Sequence, residues 1–223
     1  MVKPAKWMDL LALVFSLLVI GGAAYWTLHT GIFSAAALST DSKIAWHLTR
    51  SAGISAYFLL LASMVWGLFI SGQYVKNWSP GALSLTMHST ISWLALILGF
   101  THAFLLLGDT YFHYTVSDIL IPFTGPYRPL MVGFGTLSIW LLLVVALSFQ
   151  IKRRIGHRAW KWIHMMSYGA FAMVTLHGLT AGTDSELLGL RLLVGGSVLV
   201  VVLLLGIRMG KDQGRVAKPA ARP

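Results

Sequence analysis

Six apolar runs alternate with short polar connections along the chain. They are Leu10–Leu28, Ser51–Ile70, Leu83–Leu107, Leu130–Ile151, Trp162–Ala181 and Leu187–Ile207. A helix rises ~1.5 Å per residue, so about 20 residues cross a bilayer core of about 30 Å, and each run has that length. The pattern predicts an all-α fold, a polytopic membrane protein built as a six-transmembrane-helix bundle. The first run follows Lys3 and Lys6 and contains small residues at Gly21, Gly22, Ala23 and Ala24, so a cleaved signal peptide is the competing reading. Its length and its continuation through Tyr25 and Trp26 favour a span.

The connections divide the chain further. A polar stretch, Ser39 to Lys43, leads through His47 and Arg50 into the second run, and Gly72 to Pro80 forms a short turn. Gly108 to Pro129 is the longest connection, rich in aromatics and turn formers. Lys152 to Lys161 reads as a basic turn, and Asp184, Ser185 and Glu186 as a small acidic one. Residues 1–8 are then a cytoplasmic N-terminus, 9–208 the six-helix domain, and 209–223 a basic, Pro/Ala-rich tail expected to be disordered.

Composition agrees with the pattern: 57% of residues are hydrophobic and 11% charged, with a mean hydropathy of +0.74. There is no cysteine, which excludes a disulfide framework, cysteine-ligated iron–sulfur clusters and covalent c-type haem. Charge sets the orientation. The N-terminus, the second-to-third and fourth-to-fifth turns and the tail carry 13 of the 17 lysines and arginines, whereas Lys43, Arg50, Arg128 and Arg191 lie on the other side. Both termini are therefore expected in the cytoplasm. The net charge of +10 is mostly this collar, which suits anionic membrane lipid and not nucleic acid.

Four histidines fall inside the runs: His88 and His102 in the third, His164 and His177 in the fifth. An imidazole in hydrocarbon is costly unless paired or ligated, so these are functional-site candidates. Both runs point from inside to outside, which pairs His88 with His164 and His102 with His177. Spacings of 14 and 13 residues give axial separations of ~21 and ~20 Å, so two pairs form at matched depths. That spread excludes one zinc or copper ion spanning all four. Rotation is less regular: 14 residues return to within ~40° of one face, but 13 land ~140° away. Either the fifth helix is distorted near Gly169, or its two sites open on different sides. The expected reading is bis-histidine haem b at each pair, with Trp93, Phe100 or Phe171 between them.

The pattern resembles the ferric reductase-like transmembrane domain family, which includes the membrane parts of NADPH oxidases and ferric reductases and the haem subunit of the periplasmic methionine sulfoxide reductase system. The match rests on the six-helix layout, His88-x13-His102, His164-x12-His177, Arg50 opening the second helix, and the approach Arg158-Ala-Trp-Lys161-Trp-Ile-His164. It covers roughly His47 to Ile207.

The resemblance implies a b-type cytochrome in a prokaryotic cytoplasmic (inner) membrane, passing electrons outward to ferric iron or a partner oxidoreductase. His88 and His164 would ligate the inner haem, His102 and His177 the outer. Relatives continue into a flavin- and nicotinamide-binding domain, and no Gly-rich dinucleotide fingerprint follows a strand in this chain. The expected electron donor is therefore separate: a flavoprotein, reduced flavin or a quinone. Arg50, His47 and Arg191 are candidates for the propionates of the outer haem, and Arg158 and Lys161 for those of the inner, with interfacial anchoring the alternative for each. His113 is a lesser candidate for an acceptor metal, while His47, His29 and His157 lie near helix ends. Two further readings stay open, a single-haem reductase subunit and a non-redox transporter or sensor using histidines as proton relays. The absence of acidic residues from the cores of the second to fifth runs weighs against relays.

Overall fold

The computed structural model describes residues 42–109, 111–182 and 186–216. The run Leu10–Leu28 and residues 1–8 lie outside these. The described residues form helices α1 (Ser42–Ser71), α2 (Gly81–Leu105), α3 (Val116–Leu120), α4 (Pro129–Gln150), α5 (Lys152–Ala181) and α6 (Leu188–Val216), with no strand among them. Four stretches are long and apolar enough to cross a membrane: Trp46–Ser71, Gly81–Gly108, Pro129–Gln150 and Leu188–Gly210. They mark a membrane protein. Helix α5 falls short of that apolarity, because its basic first third and its two histidines dilute the apolar residues.

Two antiparallel hairpins, α1 with α2 and α4 with α5, make up most of the bundle, and α6 packs on α1. Pro80 caps α2 and Pro129 opens α4, where a missing N–H costs nothing. Between the hairpins, Thr115 and Asp118 close a capping box on α3. The guanidinium of Arg128 donates to the carbonyl of Thr180, one of the free carbonyls at the end of α5.

The core cluster joins Leu60, Met64 and Leu68 of α1 to Ala95 of α2, Phe171 of α5 and Val201 of α6. Among the described residues, buried serines and threonines include Ser63, Ser84, Ser138, Ser148 and Ser197. Leu94, Ile97, Val144, Leu147, Leu199 and Leu203 point outward instead. Lipid tails are as apolar as leucine, so helices in a bilayer gain most from close approach through small residues that bond to backbone. Ser138, Ser148 and Ser197 do so, each donating to the carbonyl three residues earlier.

Three boundaries differ from the sequence reading. Helix α1 starts at Ser42, nine residues before the apolar run, because no proline or glycine interrupts Ser42 to Ala52 and polar residues are tolerated where a helix leaves the membrane. The stretch Lys152–Lys161 is helical and not a turn, broken only at Gly156 (φ 80°, ψ 160°), a conformation that favours glycine. Helix α6 runs on to Val216, into the segment expected to be a disordered tail from Met209.

Candidate functional site

The bundle brings His88, His102, His164 and His177 together in two facing pairs. His88 on α2 and His164 on α5 have ring centroids 6.1 Å apart at an interplanar angle of 70°. His102 and His177 repeat the arrangement at 6.1 Å and 75°.

Three of the four rings are held by the same device. The Nδ1–H of His102 donates to the carbonyl of Thr49 at 2.7 Å, that of His88 to Ser63 at 3.1 Å, and that of His177 to Met131 at 3.0 Å. Four residues beyond each carbonyl, on the same helix, stands a glycine: Gly53, Gly67 and Gly135. A Cβ at Gly53 would lie 2.8 Å from His102 Nδ1, and one at Gly135 2.9 Å from His177 Nδ1. At Gly67 it would lie 3.0 Å from His88 Cε1. Each ring therefore lies on bare backbone and reaches the second lone pair of a carbonyl already engaged in the helix. Ser63 and Ser92 elaborate the His88 site: Ser63 Oγ is 3.3 Å from Nδ1 and 2.6 Å from Ser92 Oγ. With Nδ1 carrying the proton, Nε2 presents a free lone pair.

His164 is held differently. No hydrogen bond to it is formed among the described residues; it stacks on Trp160 one turn earlier, with centroids 5.2 Å apart and planes at 22°. The reason is rotational. Helical geometry persists from His157 to Ala181, Gly169 included, so there is no distortion to bring 13 residues back to one face. His177 faces the backbone of α4, and His164 leaves α5 on another side. In α2 the 14-residue spacing points both rings at α1.

A cavity of about 210 Å³ opens at the His102–His177 pair. Its walls are largely apolar, with Ile54, Leu142 and Val174 among them, and Arg50, Tyr114 and Asp118 bring polar groups. Burial holds the Tyr114 phenol above its ordinary range, hence protonated, whereas hydrogen bonds from Thr115 hold the exposed Asp118 carboxyl below the usual carboxylate range. The Arg50 guanidinium also lies 4.0 Å from the Trp46 ring centroid.

The other candidates are placed as follows. Arg191 pairs with Glu186 at 3.2 Å, both well exposed. Arg158 and Lys161 are exposed. The cations lying closer in at the His164 end are Lys152, with Nζ 3.8 Å from the Trp160 ring centroid, and Arg208, 3.5 Å from the Tyr168 hydroxyl. His113 and His47 are exposed, the latter edge-on to Trp46, and His157 tilts against Trp160. His29 lies outside the described residues. Phe171 is buried midway between the two histidines of α5 and stacks on Tyr57 at 5.8 Å, while Phe100 packs against Phe104 and Trp140, and Trp93 is half-buried. Tyr57 in turn hydrogen-bonds Ser197 at 2.5 Å.

Sequence reasoning missed the glycines, Tyr57 and Trp160. One signal was present: Gly53 and Gly67 are separated by 14 residues, the spacing of His88 and His102 on the antiparallel neighbour. No comparable spacing marks Trp160.

Fold and site together define a helical membrane protein with two facing histidine pairs between α2 and α5. Residues 44–184 match the model of a domain of unknown function (DUF8596), and the chain belongs to that family. No curated protein and no solved structure matches it.

Proposed function

We propose that this protein is a transmembrane b-type cytochrome, similar to the ferric reductase-like membrane domains. It carries electrons from a cytoplasmic or membrane donor to an extracytoplasmic acceptor through two bis-histidine haems. The observation that carries the reading is the 6.1 Å ring separation, found twice. A metal–imidazole bond is about 2 Å and the ring centre lies about 1 Å behind the bonding nitrogen, so two imidazoles on opposite sides of one metal ion stand about 6 Å apart. Among the described residues no three of His, Cys, Asp and Glu converge. Donors come in twos, so His88 with His164 and His102 with His177 would each hold one haem.

Bound at these pairs, haem supplies a one-electron carrier. The chain's own residues orient and tune it. Nδ1–H bonds to Thr49, Ser63 and Met131 fix the rings and raise the basicity of Nε2. Gly53, Gly67 and Gly135 admit the rings close to backbone, and Ile54, Leu142 and Val174 keep water from the outer pair. Arg50 provides a cation for a carboxylate at the cavity rim.

The full topology of the proposal is six spans with both termini in the cytoplasm, Leu10–Leu28 being the first. Donor and acceptor are separate molecules: a flavoprotein, reduced flavin or quinone on one side, ferric iron or a partner oxidoreductase on the other. The test is electron transfer across sealed proteoliposomes with reductant trapped inside and ferricyanide outside. Haem-loaded protein reduces the external ferricyanide. Loaded vesicles that leave it oxidised would refute a transmembrane path.

A further inference from the structure

Trp160 carries a polar group that the bundle leaves unmatched. Its Nε1 is buried and has no hydrogen-bond partner among the described residues. Other indoles donate to backbone: Trp66 to Ser84 at 3.0 Å, Trp78 to Tyr74 at 3.2 Å and Trp140 to Leu120 at 2.9 Å. A buried donor that loses water and gains nothing is destabilising, and such groups in native proteins point to a missing partner. The indole is stacked on His164, and the Lys152 ammonium lies 3.8 Å from the indole ring centroid. No acid residue occurs between Ile119 and Thr183 or between Ser42 and Gly108, so α1, α2, α4 and α5 contain no carboxylate that could serve either group, and α6 contains one acid, Asp212. An N–H donor beside an ammonium selects an anion, and α1, α2, α4 and α5 supply none.

We infer that Trp160 Nε1 and Lys152 form a carboxylate-binding point beside the His88–His164 pair, and that the carboxylate is a propionate of the haem held there. The inference rests on the haem reading above. It moves the inner propionate contact from the exposed Arg158 and Lys161 to a residue within stacking distance of a ligand. Trp160 is a positioning residue in this account: its N–H donates to the propionate and orients it, Lys152 supplies the compensating charge, and the indole does not touch the iron.

Trp160→Phe removes the N–H and keeps an aromatic ring beside His164 and Lys152. Spectroelectrochemical titration of haem-loaded protein reads the effect, and His164→Ala identifies which redox wave belongs to the inner pair. Removing a donor leaves the propionate charge less compensated and favours ferric iron. In Trp160→Phe the inner wave therefore moves to lower potential while the outer wave stays in place, and Lys152→Met moves the same wave in the same direction. In protein reconstituted with haem dimethyl ester, which lacks free propionates, wild type and Trp160→Phe titrate alike. Superimposable waves for the two proteins with ordinary haem overturn this assignment alone. A shift that persists with the dimethyl ester also overturns it, because the anion is then a lipid headgroup or a free ion. Wild-type protein that takes up no haem overturns the cytochrome reading and this inference together.

Discussion

His102 rests on Gly53: its Nδ1 lies where a Cβ at residue 53 would come within 2.8 Å, and it donates to the carbonyl of Thr49 one helical turn earlier. The arrangement recurs for His88 on Gly67 with Ser63, and for His177 on Gly135 with Met131. A glycine and the carbonyl four residues before it thus act as a two-point seat for an imidazole from the neighbouring helix. The seat sets ring height and tautomer together, which a hydrogen bond alone would not.

Gly53→Ala forces His102 off its seat. Overpacking of this kind costs about 1–3 kcal/mol. The expected outcome is loss of the outer haem, read as a fall in haem per polypeptide from two toward one, with the inner haem retained. Gly169→Ala is the control, since a Cβ there meets nothing within 4 Å; it leaves the ratio unchanged. An unaltered ratio in Gly53→Ala would remove the seat from the account.

His102→Ala removes one haem outright and stops reduction of an outside acceptor, while the remaining haem still accepts electrons from the cytoplasmic side. Absorbance spectra of the reduced variant check the first point and the proteoliposome assay the second. Unchanged haem content would dismiss His102 as a ligand.

Arg50 and Arg191 make contrasting predictions. Arg50 lines the cavity beside His102, so Arg50→Ala lowers the potential or the occupancy of the outer haem. Arg191 is engaged with Glu186 on an exposed surface, a pair of the kind worth about 0–1 kcal/mol, and Arg191→Ala leaves both waves in place. A redox titration that moves with Arg191 and not with Arg50 would reverse these roles.

The helices and the histidine pairs were legible because both are one-dimensional signals: hydropathy over about 20 residues, and spacing multiplied by a fixed rise. The unequal spacings of 14 and 13 even carried the rotational problem that α5 resolves by opening His164 and His177 on different sides. Boundaries were harder. Hydropathy marks where the bilayer would end and not where the helix does, so the polar opening turns of α1 and the basic ones of α5 were assigned to connections. The glycine seats were nearly legible from Gly53 and Gly67, but Gly135 has no glycine at the matching inner position, where Ser148 and Phe149 stand, and so shows no repeat. Trp160 was hidden inside the motif that drew attention to Arg158 and Lys161, because an unmatched N–H becomes apparent only once its surroundings are built.

A reporter fused after Pro223 should read as cytoplasmic, as the 13-to-4 distribution of Lys and Arg requires. An external signal would exchange the inner and outer assignments of the two pairs and with them the direction of electron flow.

The central claim is that each facing histidine pair holds one haem. The most direct measurement is the haem-to-polypeptide ratio of the purified protein by pyridine haemochrome assay, combined with a dithionite-reduced minus oxidised spectrum. The account predicts a ratio near two with a low-spin b-type spectrum. Protein free of haem after expression with ample haem supply would contradict it.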